Sequence, residues 1–187
     1  MTTEFPSTIF ETSFMSIRHR PFMIPCAFIM TMVVHVLPLL AQDKAAFSEA
    51  RIKSTLDQTM QPAKWYEAGH VKEPAPLLIL LHSWSNDYNL KGYGEDALAL
   101  CAKRGWAMMM PHFRGPNKNP SACASPLAVQ DVLDAVAFAK AQRPIDARRI
   151  YIVGTSGGGH MALMMASKAP KVFAGVSAWV PPTHLAQ

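Results

Sequence analysis

One short segment of the chain combines a serine with glycines at a spacing used for nucleophilic catalysis. Gly154, Ser156 and Gly158 form the pattern G-x-S-x-G, and Gly157 directly follows the serine. In this pattern the serine hydroxyl attacks an acyl carbon, and the glycines permit a turn too sharp for side chains. The N–H of Gly157 would begin a helix and point to where an oxyanion forms. The residues predict acyl transfer with Ser156 as nucleophile.

The neighbouring residues make this pattern a more specific sign of a nucleophile than the five residues are by themselves. Glycine and serine are common enough to produce it by chance in about one chain in twenty of this length. Here it directly follows the apolar run 150–153 and precedes a helical pattern, which is the setting of a nucleophile elbow. A phosphate-binding loop is the alternative, but no Lys-Ser or Lys-Thr follows the glycines, and G-x-G-x-x-G is absent. We therefore favour an elbow, with Gly154 and Gly158 as its glycines.

A second oxyanion donor is expected from the loop after an earlier strand. His82, Ser83 and Trp84 follow the apolar run 77–81. Hydrolases with such an elbow use a backbone N–H from a loop in this position. The N–H of Trp84 is the first candidate by position, and that of Ser83 is the second. We interpret His82 as a buried residue that braces the loop rather than as a proton carrier.

Apolar runs and amphipathic stretches alternate along the chain and predict the elements that position these loops. Continuous apolar runs are typical of strands buried on both faces of a parallel sheet. Strands are predicted over 77–81, 106–110, 150–153 and 172–180, with a weaker edge strand over 61–67. Helices are predicted over 95–104, from Pro126 behind the N-cap Ser125 to just before Pro144, and from the elbow to about Lys168. The fold class is α/β, a mostly parallel sheet with helices on both faces.

The first 41 residues differ in kind from the rest of the chain. A basic cluster, Arg18-His19-Arg20, precedes an apolar run over 21–41, and polar residues follow. This is the layout of a secretory signal. A membrane anchor is the alternative, because about 20 apolar residues span a bilayer, although prolines and His35 interrupt the run. A start at Met15 is a further alternative. We predict a signal peptide or N-terminal anchor over 1–41, a partial domain over 42–187, and a secreted or periplasmic location.

Composition narrows the range of partners. The chain has 187 residues, half of them hydrophobic, and a formal net charge of +5. Its basic residues are scattered and not interleaved with aromatic ones, so no nucleic-acid partner is expected. The predicted partner is a small ester or peptide substrate, and a membrane only through residues 21–41 if they are not cleaved. No cofactor and no metal site are predicted.

Two cysteines remain after the predicted signal segment, Cys101 and Cys123. An even number of cysteines in an exported chain is compatible with a disulfide between them. Two buried thiols are the alternative. The sequence leaves both open.

Four segments together resemble a known enzyme family. They are LLHSWSNDY at 80–88, PHFRGPN at 111–117, ACASPLAVQDVLDAV at 122–136 and RRIYIVGTSGGGHMALMMA at 148–166. Over residues 60–187 the chain resembles the catalytic domain of the prolyl oligopeptidase family of serine peptidases, particularly its secreted, esterase-like members without a propeller. The resemblance implies an α/β-hydrolase fold and an acyl-serine intermediate on Ser156, with Gly157 and Trp84 as oxyanion donors. Without a propeller, a restriction to short peptides is not expected.

The acid and the base of a triad are not found after the elbow. In this fold they follow the serine in the order Asp or Glu, then His. Residues 157–187 contain no Asp and no Glu, and their histidines are His160 and His184. We expect His160 to pack or bond beneath the turn, and no later carboxylate would orient His184. The resemblance implies that the C-terminal strands of the fold, with the acid and the base, are missing, so the chain alone should be nearly inactive.

The function predicted from the sequence is a serine hydrolase of ester or peptide acyl bonds. A carboxylesterase rather than a peptidase is one alternative, and a non-catalytic remnant or binding protein on a hydrolase scaffold is another. Asp131 and Asp134, which precede the elbow on a helix, are interpreted as ordinary surface charges.

Overall fold

The computed structural model describes residues 45–67, 69, 73–116 and 118–183, all within the unit Lys44–Gln187. The predicted signal segment and His184 lie outside the described residues. Within these ranges no helix has both the length and the apolar character that crossing a bilayer requires.

The strands of the described residues form one mixed sheet. Its six strands are β1 (Ser48–Lys53), β2 (Met60–Tyr66), β3 (Ala75–Leu81), β4 (Ala107–Pro111), β5 (Ile145–Thr155) and β6 (Gly175–Trp179). They are arranged in the order β1-β2-β4-β3-β5-β6. The pairs from β4 to β6 are parallel, whereas β1 and β2 are antiparallel and β2 joins β4 antiparallel. The carboxyl ends of β3 and β5 are therefore neighbours at one edge of the sheet.

Three helices follow the predicted boundaries: α1 (Glu95–Arg104), α2 (Pro126–Gln142) and α3 (Gly157–Lys168). Helix α1 begins after Gly94 and ends at Gly105, and both glycines have left-handed backbone angles. Helix α2 begins behind Ser125, whose hydroxyl accepts a hydrogen bond from the Ala128 N–H at 3.1 Å. Such local end signals act within a few residues, which explains why the sequence predicts these helices well.

The core lies on both faces of the sheet, as the apolar runs predict. On one face Leu77, Ile79 and Leu81 belong to a cluster that includes residues of α2 and α3. On the other face Leu80 and Met108 pack with residues of α1. Burial on both faces requires apolar side chains at successive positions, and β3 is APLLILL.

Three strand predictions differ from the structure for identifiable reasons. Strand β1 was not predicted, because only Ala50 and Ile52 of its six residues are buried. Strand β5 begins at Ile145, five residues before its apolar run, because its first part carries exposed polar residues. Strand β6 begins at Gly175, since Val172 and Phe173 contact the core from the preceding turn.

Asp131 and Asp134 are buried, so their interpretation as surface charges is wrong. Their exposed fractions are 3% and 6%. Arg114 donates to Asp131 from Nε at 2.5 Å and from Nη2 at 3.1 Å. Asp134 accepts from the backbone N–H of Thr55 at 2.7 Å and from its hydroxyl at 2.9 Å. The β1–β2 turn and the loop after β4 cover this part of α2, and neither partner is near it in sequence.

Arg114 binds a second carboxylate, Asp57 in the β1–β2 turn. Its Nη1 and Nη2 donate to Asp57 at 2.8 and 3.0 Å. One guanidinium thus joins α2, the loop after β4 and the turn between β1 and β2. Hydrogen bonds from Arg114 and Thr59 hold the pKa of Asp57 well below its usual range.

The lowered pKa of Asp57 predicts acid sensitivity with a definite sign. A carboxyl whose folded pKa is depressed stabilises the fold above its unfolded pKa of about 3.9, and this contribution is lost as the pH falls toward the folded value. We expect wild type to be more stable than Asp57→Asn at pH 7, and the difference to shrink as the pH falls below about 5. Melting temperatures of both proteins between pH 7 and 3 test this. A difference that does not change with pH would contradict it.

The disulfide considered for Cys101 and Cys123 is not formed in the structure. Cys101 is buried in α1 beside Leu98. Cys123 is exposed, and its neighbour Ala124 packs against the cluster on the opposite face of the sheet. A disulfide requires Cα atoms within about 7 Å. The sheet lies between these two environments, and of the two thiols only Cys101 is buried.

The two thiols are expected to react at different rates. Burial raises the pKa of Cys101 to about 11, and the thiolate is the form that reacts. Cys123 is exposed. Iodoacetamide at pH 8 should therefore modify Cys123 well before Cys101, as measured by peptide mass spectrometry over time. Equal rates, or faster modification of Cys101, would contradict this expectation.

Candidate active site

Ser156 occupies the turn between β5 and α3. Its backbone angles are φ 55° and ψ −119°, which side-chain-bearing residues rarely adopt. Its N–H donates to the Trp179 carbonyl of β6 at 2.9 Å, and its own carbonyl accepts from the His160 N–H at 2.9 Å. The neighbouring strand and the first turn of α3 therefore hold a strained conformation in place. Strain of this kind at a strand-to-helix turn is the geometry of a nucleophile elbow.

The two elbow glycines are required by close backbone contacts. A Cβ on Gly154 would lie 2.2 Å from the carbonyl carbon of Gly158. A Cβ on Gly158 would lie 2.4 Å from the carbonyl oxygen of Leu81, at the end of β3. Any side chain at either position would push apart the strand, the turn and the helix. The glycines thus allow the start of α3 to lie against the end of β3.

Gly157 lies against Trp84, the other residue predicted to supply an oxyanion donor. A Cβ on Gly157 would lie 2.7 Å from the backbone nitrogen of Trp84 and 2.2 Å from Cδ1 of its ring. The two residues are far apart in sequence, and the parallel pairing of β3 with β5 brings them together. The structure thus places Gly157 and Trp84, the residues predicted to supply the donors, against each other at the turn that carries Ser156.

The loop that carries Trp84 is fixed by several hydrogen bonds. Tyr93 donates its hydroxyl to the Leu81 carbonyl at 2.8 Å. Asn86 donates from its backbone N–H to the Ser83 carbonyl at 3.2 Å and from its side chain to the Ser83 hydroxyl at 2.7 Å. The serine at position 83, where a glycine is common in this loop, thus bonds within the loop. The backbone around Trp84 has a defined conformation as a result.

His82 is buried at the start of this loop, with 1% of its surface exposed. Its Nδ1 lies 2.9 Å from the Ser83 carbonyl oxygen, and its Nε2 lies 2.7 Å from that of His112. The ring also stacks on Phe113, with ring centroids 4.1 Å apart. Both nitrogens face main-chain carbonyls, which fits the interpretation of His82 as a brace.

His160 contacts the main chain and an aromatic ring. Its Nδ1 lies 3.0 Å from the Pro182 carbonyl oxygen, to which it donates, and its ring lies 5.9 Å from that of Trp84. Within the part of the chain that the structure describes, no side chain forms a hydrogen bond with the Ser156 hydroxyl. The structure thus places His160 in a packing role beside the turn.

The loop after β4 borders the site. In the sequence this loop contributes only to the family resemblance, and no site residue is predicted in it. Its His112 forms an edge-to-face pair with Tyr88, and burial lowers the pKa of His112. Gly115 approaches His82 so closely that a Cβ there would lie 2.0 Å from Cε1 of the histidine. The sequence does contain a signal for this loop, because it follows the predicted strand over 106–110. The carboxyl ends of neighbouring parallel strands lie at the same edge of a sheet, so the loop could have been placed beside the site.

A sequence-family comparison identifies the domain. The BD-FAE family model matches residues 65–177, which is more than half of the chain. The chain belongs to the BD-FAE family. The BD-FAE domain is an α/β-hydrolase-type esterase domain, and the matched range contains both the Trp84 loop and the elbow. No curated protein is similar enough in sequence to give a significant match.

Solved structures with the same architecture are α/β-hydrolases. S-formylglutathione hydrolase of Staphylococcus aureus is 17% identical, with a TM-score of 0.59 over 73% of this chain and 57% of that one. An esterase of Pyrococcus furiosus is 20% identical, with a TM-score of 0.60 over 75% and 53%. The acylaminoacyl peptidase of Pyrococcus horikoshii is 19% identical, with a TM-score of 0.60 over 74% and 24%.

These similarities establish the α/β-hydrolase fold, and the chain spans about half the length of the first two proteins. The resemblance noted in the sequence is confirmed at the level of this fold. The family that matches is BD-FAE, and membership of the prolyl oligopeptidase family is not specifically confirmed.

Proposed function

We propose that this BD-FAE protein is a serine hydrolase of ester or peptide acyl bonds, with Ser156 as its nucleophile. The observation that carries the proposal is the position of Ser156. It lies in a strained turn before α3 and directly precedes Gly157, against which the backbone nitrogen of Trp84 packs. An oxyanion hole needs two such donors beside a nucleophile. The esterase domain type of the family supports the same chemistry.

The proposed reaction proceeds through an acyl-serine intermediate. The Ser156 hydroxyl attacks the acyl carbon while a general base takes its proton. The N–H groups of Gly157 and Trp84 donate to the oxyanion of the tetrahedral intermediate, and the N-terminal end of α3 favours the same negative charge. The intermediate then expels an alcohol or amine, which takes up the proton. Water hydrolyses the acyl-serine bond in the second half of the reaction. Removal of one oxyanion donor typically slows such reactions about 10²- to 10³-fold.

We propose that the acid and the base are supplied from outside the described residues. Within those ranges no side chain forms a hydrogen bond with the Ser156 hydroxyl, and residues 157–187 contain no carboxylate. General-base assistance typically contributes about 10²- to 10⁴-fold in rate. The described domain over residues 45–183 alone should therefore hydrolyse esters slowly, and a protein that also contains the acid and the base should turn over faster by about this factor.

The choice between ester and peptide substrates requires a direct comparison. The domain type favours esters, and the resemblance to the prolyl oligopeptidase family favours peptides. Nitrophenyl esters and peptidyl anilides with the same acyl groups, assayed with the whole protein, separate the two. We expect measurable ester hydrolysis at a higher kcat/KM than for the matched anilides. Hydrolysis of neither substrate would favour the non-catalytic binding protein instead.

We also propose that the protein is exported and that its mature form begins near Gln42. The support is the basic and apolar layout of residues 18–41. N-terminal sequencing of protein expressed from the whole gene tests this proposal. An intact terminus at Met1 or Met15 on soluble cytosolic protein would contradict it, and an intact terminus on membrane-bound protein would support an anchor.

A further inference from the structure

The Ser83 carbonyl, which Nδ1 of His82 contacts, belongs to the same peptide unit as the Trp84 N–H, one of the two proposed oxyanion donors. The Ser83 carbonyl and the Trp84 N–H are the two ends of one peptide bond. In a planar trans peptide they point in opposite directions. Whatever fixes the direction of the Ser83 carbonyl therefore also fixes the direction of the Trp84 N–H.

We propose that His82 is a positioning residue of the oxyanion hole, because its ring, at a shorter distance than the Asn86 N–H that shares the acceptor, holds the Ser83 carbonyl and so aims the Trp84 N–H at the substrate oxygen. This inference rests on the proposed function of Ser156 and names a further residue that serves it. A carbonyl oxygen only accepts, so the contact of Nδ1 at 2.9 Å is a hydrogen bond when that nitrogen carries a proton. An imidazole with both protons donates to both carbonyls, and one with a single proton donates to one of them.

The surroundings of the His82 ring prevent it from turning away. Phe113 stacks on one side of it, at 4.1 Å between ring centroids. Gly115 approaches its Cε1 so closely that no Cβ fits between them. The Nε2 contact with the His112 carbonyl ties the ring to the loop after β4. The ring thus transmits the position of one loop to the peptide that carries the donor.

A matched pair of substitutions separates the two ring contacts. In His82→Asn the side-chain amide lies near the position of Nδ1, so a donor to Ser83 is retained. In His82→Gln it reaches the position of Nε2, so the contact with Ser83 is lost. Gly115→Ala leaves the histidine unchanged but displaces its ring. Gly175→Ala is the control, because its Cβ would meet the ring of Tyr151 at 3.2 Å, at the amino end of β6 and away from the Trp84 loop.

The direct measurement is the backbone amide signal of Trp84 in protein labelled with ¹⁵N-tryptophan. The chain has four tryptophans, and Trp84→Phe assigns the signal by removing it. We expect His82→Gln and Gly115→Ala to shift the Trp84 signal, and His82→Asn and Gly175→Ala to leave it close to its wild-type position. If Gly115→Ala does not fold, the Asn and Gln variants decide. The proposal is overturned if the Gln variant keeps the wild-type signal, or if Gly175→Ala shifts it as much.

Kinetics of the whole protein provide the second readout. A misaimed donor weakens binding of the transition state more than binding of the substrate, so we expect kcat to fall about 10- to 100-fold in His82→Gln with KM nearly unchanged. His82→Asn should recover most of kcat. An equal loss of kcat in both variants would overturn the positioning role. If wild type does not turn over, the proposed function fails, and the amide signal still tests the role of His82 in orienting the peptide.

Discussion

Replacement of Ser156 by alanine is expected to remove almost all ester hydrolysis by the whole protein, leaving only the small acceleration that the oxyanion donors and substrate binding provide. The hydroxyl is the atom that forms the acyl bond, and no other group at the turn can replace it. Triad nucleophiles in serine hydrolases typically account for about 10⁶-fold in kcat. The measurement is hydrolysis of a nitrophenyl ester under saturating conditions.

A matched serine on the neighbouring loop serves as the control for this experiment. Ser85 is exposed and directly follows Trp84. Ser85→Ala should keep wild-type turnover and wild-type stability. Ser156→Ala should lose turnover but keep the wild-type fold, as measured by circular dichroism. Substantial turnover by Ser156→Ala would show that another residue is the nucleophile.

Arg114→Ala is expected to destabilise the fold by about 3–5 kcal/mol. Arg114 is the guanidinium that binds both Asp57 and Asp131. The Asp131 side chain is only 1% exposed, so removal of its partner leaves an uncompensated charge in the interior. Urea unfolding at pH 7 measures the change in the free energy of unfolding. The variant also loses one of the links between α2 and the β1–β2 turn, whereas the hydrogen bonds of Thr55 to Asp134 remain.

A surface arginine in the same chain provides the comparison. Arg149 pairs with Asp146 but is 46% exposed. Exposed pairs contribute about 0–1 kcal/mol, so Arg149→Ala should change the free energy of unfolding by no more than this. If Arg114→Ala costs no more than Arg149→Ala, the burial of the Asp131 pair has no energetic consequence, and our account of this cluster is wrong.

Local sequence signals predict much of this fold. Helix α1 ends at the predicted residues because Gly94 and Gly105 take left-handed angles that few other residues adopt. The strand before the elbow is recognisable because its successive apolar residues 150–153 are buried on one face of the sheet and partly buried on the other. In each case the controlling residues lie inside the element or directly beside it.

Interactions between distant segments account for what the sequence did not predict. The sequence around Asp134 suggests a surface residue. In the structure Thr55, 79 positions earlier, donates two hydrogen bonds to it. Arg114 and Asp57 are 57 positions apart. Strand β1 has too few apolar residues to be recognised, and its pairing with β2 defines it.

In the candidate site, too, local patterns predict some of the arrangement and contacts between distant segments determine the rest. Ser156, Gly157 and Gly158 are consecutive, so one strand-turn-helix pattern predicts their arrangement. Trp84 could be assigned because the order of buried strands places its loop beside the elbow. The contact of His82 with the carbonyl of His112 joins two loops that follow different strands, and no pattern in either loop indicates it.

The most direct test of the central claim is to identify the residue that a fluorophosphonate modifies. The whole protein is incubated with excess probe and digested with trypsin, and the peptide over 150–168 is sequenced by mass spectrometry. This peptide contains Ser156 and also Ser167, an exposed serine of the same helix that serves as an internal control. We predict a phosphonyl adduct on Ser156 and none on Ser167. An adduct on Ser167 or in another peptide, with Ser156 unmodified, would contradict the assignment of Ser156 as the nucleophile.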